Sequence, residues 1–125
     1  VNTSPSKEAI VCARLPVLAA PVAACVILLP PPAKGGGASP AFLVSSFMCI
    51  HHYEGSWSDP GAPYWGGLQM DWTFMATYGA EYLRAWGPAN NWPVSVQISV
   101  AIRAYLAGRG FWPWPTSARL CGLLP

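Results

Sequence analysis

The chain has 125 residues, enough for one folded domain of modest size. Its formal net charge is +2, and that excess lies near the N-terminus: beyond residue 41 there is no lysine, and Arg84, Arg103, Arg109 and Arg119 balance Glu54, Asp59, Asp71 and Glu81. A neutral, lysine-free unit lacks the clustered basic residues that grip a phosphate backbone, so nucleic acid is excluded as the expected partner.

The first segment in chain order is compositionally distinct. Every Phe, Tyr and Trp lies between Phe42 and Trp114, whereas residues 1–41 hold seven of the 14 prolines. Such a stretch buries too little apolar surface to offset the entropy of ordering it. Arg14 precedes an uncharged, mostly apolar run over residues 15–29. This run is shorter than the roughly 20 residues of a membrane span, and Pro16 and Pro21 interrupt any helix through it. Residues 1–32 therefore read as an export segment, with a membrane anchor as the alternative. Val22-Ala23-Ala24-Cys25 has the form of a lipid-processing site. The apolar Val-Ile-Leu-Leu that follows favours the plainer reading, small residues that happen to end in cysteine. Residues 33–40, with Lys34-Gly35-Gly36-Gly37, read as a linker. The folded unit is expected over 41–125.

Within that unit the spacing predicts a helix from Phe42 to about Glu54. Leu43, Phe47, Ile50 and Glu54 share one face at the 3.6-residue period, and Gly55 can end it. Ser58-Asp59-Pro60-Gly61 is a turn signal. Tyr64-Trp65-Gly66-Gly67-Leu68-Gln69 reads as a short strand or an extended segment with close backbone approach at its glycines. Asp71 is the expected N-cap of a helix carrying Phe74, Met75 and Tyr78 on one side. A short helix over Ala80–Trp86 should end at Gly87-Pro88. Pro93 suits the first turn of a last, long helix with Val94, Ile98, Ala101 and Tyr105 as its apolar stripe and Gly108 as its stop. The segment Phe111-Trp112-Pro113-Trp114-Pro115 reads as irregular chain wrapping the surface. The expected fold class is mainly α, with a short extended or hairpin segment flanking a cleft.

Glu54 does not fit the apolar face on which it falls. A carboxyl group at the end of such a face, with Tyr53 and Trp57 near it in sequence, is poorly hydrated, and desolvation favours the neutral acid. A carboxylic acid that keeps its proton near neutral pH is what cleavage of a glycosidic bond requires. The alternative is an ion pair with Arg103 or Arg109. Seven tryptophans in this unit suit stacking on sugars as well as they suit a dense core.

The run Cys49-Ile50-His51-His52-Tyr53-Glu54-Gly55-Ser56-Trp57, followed by Tyr64-Trp65-Gly66-Gly67-Leu68-Gln69-Met70, resembles the transglycosylase-like domain of resuscitation-promoting factors, within the lysozyme-like superfamily. The ending, Trp114-Pro115 with Cys121-Gly122, is similar too, so the resemblance covers nearly the whole folded part. It implies an α+β lysozyme-like fold and cleavage of the β-1,4 bond between N-acetylmuramic acid and N-acetylglucosamine in bacterial peptidoglycan. Glu54 stands where that family has its catalytic glutamate, and Gln69 stands at the glutamine that borders the sugar cleft. Gly66 and Gly67 would then admit the glycan close to the backbone. Trp57, Tyr64 and Trp65 are candidates for sugar stacking or for core. In one departure, Cys49 stands five residues before the glutamate, whereas the family often has its cysteine directly before it.

An ordinary glycosidase needs a second carboxyl group about 5 to 9.5 Å from the first. Asp59 is the candidate, although capping of the Asp-Pro-Gly turn accounts for it as well. A lytic transglycosylase needs no second carboxylate, because the substrate's own 6-hydroxyl attacks and one glutamate serves first as acid, then as base. Cys49 and Cys121, at opposite ends of the folded unit, are expected to form a disulfide; Cys12 and Cys25 fall outside it. His51 and His52 are adjacent, which is not the i, i+4 spacing of a zinc pair, so neither metal nor cofactor is expected. The expectation is thus a secreted or cell-surface bacterial enzyme acting as a monomer on peptidoglycan. The alternatives are a non-catalytic glycan-binding module, or a tethered interaction protein anchored through its N-terminus.

Overall fold

A computed structural model describes residues 37–125, which form one compact unit, Gly37–Pro125. The expected export or anchor segment, most of the linker, Cys12 and Cys25 lie outside the described residues. The folded unit starts earlier than expected. Ala38 packs on the core, and Ser39 caps α1 (Pro40–Glu54) by accepting from the Phe42 amide at 3.2 Å. Pro40 occupies the first turn, where its missing N–H is no loss.

The face of α1 set by Leu43, Phe47 and Ile50 is buried, and Ser46 is buried with it by turning its hydroxyl back to Phe42 O at 2.8 Å. After a loop, β1 (Tyr64–Trp65) and β2 (Met70–Asp71) pair antiparallel with Tyr64 opposite Asp71 and Trp65 opposite Met70. The expected extended stretch is thus a minimal hairpin, with residues 66–69 as its turn. Asp71 caps α2 (Trp72–Tyr78), accepting from the Phe74 amide at 2.7 Å, and Met75 on that helix is fully buried. Gly79 separates α2 from α3 (Ala80–Trp86), and Trp92 and Val100 press on it where a Cβ would lie. A 3-10 turn at Ala89–Asn91 leads into α4 (Val94–Ala104).

Two expectations about the C-terminal third need correction. The inward stripe of α4 is Gln97, Ile98, Val100, Ala101 and Ala104, while Val94 is exposed. Beyond α4 the helix widens over Tyr105–Arg109, and its helical backbone breaks at Gly108, at φ 95, where a stop was expected. The segment after it is not a surface wrap. Phe111 and Trp114 are buried, Phe47 meets their rings edge-on at 5.5 and 5.2 Å, and Trp114 Nε1 donates to Leu68 O at 2.6 Å. Each such aromatic contributes about 1.5–3 kcal/mol by leaving water, enough to draw this segment inward despite its prolines. A further helix follows, α5 (Pro115–Leu120), which packs along α1. The architecture is mainly helical with one small two-stranded antiparallel sheet.

Two links pin the helices. The disulfide Cys49–Cys121 spans a sequence separation of 72 and joins α1 to the end of α5. Across the other side, the Arg103 guanidinium on α4 donates to Glu81 on α3 and to Tyr78 O (3.1 Å) at the end of α2, lying over the Tyr82 ring. That hydrogen bond holds the Glu81 carboxyl below the usual carboxylate range. Both partners are largely exposed, so solvent screens most of the gain.

Replacing both cysteines (C49A/C121A) is expected to lower unfolding stability by about 2–5 kcal/mol, read from denaturant midpoints, because it releases a long loop in the unfolded chain. Since the folded form depresses the Glu81 ionisation, its contribution is present above the ordinary carboxylate range and lost as pH falls through the folded value. The small stability gap between wild type and E81Q should therefore be constant from about pH 6 to 8 and close on acidification below about pH 4.

Candidate functional site

Glu54 is the last residue of α1 and is half-buried. Its Oε1 accepts from Ser117 Oγ at 2.5 Å, and Ser117, on α5, is buried with a relative exposure of 2%. Ser117 Oγ also lies 3.4 Å from Trp114 O. The expected alternative, a pair with Arg103 or Arg109, does not form: Arg103 is engaged by Glu81, and among the described residues that is the one salt bridge. The helix therefore ends in an acid gripped through one oxygen by a neutral hydroxyl.

Beside it runs a second polar cluster. Asp59 Oδ1 accepts from the Gly61 amide at 3.0 Å, closing the expected Asp-Pro-Gly turn, while Asp59 Oδ2 accepts from Gln69 Nε2 at 2.9 Å. Gln69 Nε2 also donates to Gly66 O at 2.9 Å. These bonds fix Gln69 in the left-handed region, at φ 47, a conformation that costs a non-glycine residue about 1–2 kcal/mol. The cluster touches the chain beside the acid: a Cβ on Gly55 would stand 3.3 Å from Gln69 Nε2 and 3.5 Å from Asp59 Oδ2. Glu54, Asp59 and Gln69 are thereby brought to one place.

The two glycines of the hairpin turn answer a different need from the one expected of them. Gly66 and Gly67 are buried, and the space a Cβ would take is filled from inside: by the Gln97 amide at Gly66, and by Trp57 and His51 Nδ1 at Gly67. The close approach is by protein atoms. Gln97 itself is fully buried on α4. Its Oε1 accepts from the Gly67 amide at 2.9 Å, and its Nε2 donates to Trp57 O at 2.9 Å and Trp92 O at 3.1 Å. Trp57 stacks on His51 at 3.8 Å, and His51 Nδ1 donates to Gly67 O at 3.0 Å. Trp57 is thus half-buried support beneath the turn. Tyr64 is 49% exposed, and Trp65 meets Trp72 edge-on at 6.1 Å, with Trp72 55% exposed. Around the hairpin, Tyr64 and Trp72 are exposed, flanked by Trp65.

An open concavity of about 130 Å³ adjoins this surface, lined by Tyr64, Gln69, Asp71, Phe74, Arg109 and Trp114 among others. Glu54 is not in its wall. Gln69 links the two, because it lines the concavity and also abuts the residue after the acid. Among the described residues there is no group of three or more His, Cys, Asp or Glu side chains placed to hold a metal ion. No helix among them is long and apolar enough to cross a membrane.

Comparison of the chain with known protein families, with curated proteins and with solved structures found no match.

Three residues of this region escaped the sequence reading, and Arg109 was named there only as a partner for Glu54. Ser117 is separated from Glu54 by 63 positions, and nothing in the irregular-looking ending marked it. Gln97 did carry a signal, a polar side chain at a position that continues the apolar spacing of its helix. Trp72 was visible only as a residue type. Replacing Gln97 by Leu is expected to destabilise the fold by about 2–4 kcal/mol, because it strands the Gly67 amide and two buried carbonyls. Thermal unfolding together with the near-UV signal of Trp57 and Trp92 measures it.

Proposed function

We propose that this protein is a lysozyme-like, peptidoglycan-cleaving enzyme of the lytic transglycosylase type, exported to the cell surface or beyond it, with Glu54 as general acid and base. The observation that carries the reading is the half-buried Glu54 carboxyl at a helix end, held through one oxygen by Ser117, with the Asp59–Gln69 cluster against the next residue and Gln69 itself lining an open concavity. The resemblance of the residues from Cys49 to Met70 to the transglycosylase-like domain of resuscitation-promoting factors supplies the substrate class. A disulfide in a small unit fits an oxidising, extracellular setting.

The proposed chemistry uses one carboxyl group twice. With Oε1 held by Ser117, Oε2 is the oxygen available to give a proton to the departing sugar oxygen. Once ionised, the carboxylate still accepts from Ser117, so it stays in place to take the proton from the muramyl 6-hydroxyl as that oxygen closes on the anomeric carbon. A 1,6-anhydro end results. The engagement of Asp59 favours this route over hydrolysis with two carboxylates. Its Oδ1 is bonded to the Gly61 amide and its Oδ2 to Gln69, which leaves it poorly placed to serve as a nucleophile or as a base for water. Gln69, fixed from behind by Asp59, and the exposed rings of Tyr64 and Trp72 offer the sugar polar and stacking contacts.

The test is digestion of purified peptidoglycan, with products read by mass spectrometry. Wild type is expected to release muropeptides with 1,6-anhydro ends, and E54Q to be slower by about 10²–10⁴-fold. S117A should lose about tenfold in kcat with little change in KM, since it frees the acid to leave its reactive geometry. Reducing ends would convert the assignment to a hydrolase. Binding without any soluble product from wild type would replace it with a glycan-binding module.

A further inference from the structure

Arg109 carries a charge that no contact among the described residues explains. The turn that carries it is built for display: Gly108 and Gly110 flank it at φ 95 and 55, left-handed conformations that a side chain resists, and neither has protein within 4 Å of where a Cβ would lie. Among the described residues its guanidinium makes no hydrogen bond or ion pair. It lines the concavity that holds Gln69 and also an adjoining one of about 230 Å³, formed with Asp71, Thr73, Phe74, Thr77 and Tyr78. Asp71 faces both hollows as well. One of its oxygens is spent on the Phe74 amide, and the two opposite charges do not close into a salt bridge. A hollow of this size holds several waters at about 30 Å³ each, so it is room for a molecular group and not for a single ion.

A planar, permanently charged guanidinium left open in a hollow is a carboxylate receptor, and a nearby unpaired carboxylate oxygen selects for an N–H or ammonium donor on the same ligand. A neutral sugar can hydrogen-bond to both groups through its hydroxyls but compensates neither charge, and a simple anion would be opposed by Asp71. A short peptide bearing its own carboxylates satisfies both. We propose that Arg109 and Asp71 form a subsite for the peptide stem of peptidoglycan, with Arg109 on a stem carboxylate and Asp71 on a stem N–H or ammonium group. This deepens the cell-wall reading above and rests on it for the identity of the peptide. The position fits. Gln69 lines the same hollow as Arg109 and also abuts Gly55, the residue after the candidate acid, so a strand bound at Gln69 has Arg109 within the same hollow.

Two measurements test it. The first compares cleavage of intact strands with strands stripped of their stems by an amidase. Wild type is expected to prefer intact strands about tenfold, the scale of one charge-assisted contact. In R109A that ratio should fall to about one, and in R109K it should fall part-way, because a lysine keeps the charge but not the two-pronged fork. An unchanged ratio in R109A, or equal cleavage of both substrates by wild type, overturns the proposal. The second is independent of cleavage: titration of the protein with a soluble stem tetrapeptide, followed by NMR. Shifts at Arg109, Asp71 and Thr73 that vanish in R109A support the subsite even if no strand is cut, a result that would sink the enzyme reading alone. No shifts at those residues in wild type overturn the subsite and leave the enzyme reading standing.

Discussion

The arrangement depends on one buried amide. Gln97 stands on α4 among apolar neighbours, where an unsatisfied side-chain amide would cost several kcal/mol, yet it meets a donor and two acceptors from three separate stretches of backbone. The Gly67 amide belongs to the hairpin turn, Trp57 O to the loop after the acid, and Trp92 O to the approach to α4 itself. None of these segments has enough regular structure to hold its own position. Tied to one rigid helix, they hold position together, and the polar cluster at Gln69 is the outer edge of that tie. Non-directional packing alone would fill the same space without fixing the register of the turn.

Local rules carried the sequence reading as far as local rules apply. The apolar face of α1, the Asp71 cap, the end of α3 at Gly87 and the Asp59 turn are each decided by neighbours within four positions, and each was legible. The disulfide followed from where its cysteines fall. The ending was not legible. Two prolines and three aromatics between Phe111 and Pro115 look like exposed irregular chain, but Phe111 and Trp114 are claimed by Phe47 and Leu68, more than 40 positions away. Once Trp114 is buried, the chain after Pro115 has a surface to coil against, and a helix forms that propensity alone gave no reason to expect. Ser117 comes into reach of Glu54 through that tertiary event.

The glycines carry a related lesson. Gly-Gly in a turn near a proposed cleft invites the idea of room left for a ligand. Here the room at Gly66 and Gly67 is taken by Gln97, Trp57 and His51, whereas Gly108 and Gly110, on either side of Arg109, meet open space. A sequence does not distinguish a glycine crowded from within from one that sets a neighbour's direction. Both are backbone requirements, and the difference lies in what the fold packs against them.

The six residues of α5 are too few to hold a helical shape unaided. Its N-terminal side is anchored by the ring of Trp114 and its far end by sulfur, so the hydroxyl between them is suspended from two mooring points, one of which is a bond that thiols can open. The geometry around the helix-end acid thereby inherits a dependence on the oxidation state of its surroundings: where thiols stay reduced, α5 has only the packing of Trp114 and Ala118 to hold that hydroxyl against the acid. A chain built this way reaches its complete form only where the Cys49–Cys121 bond can form and persist.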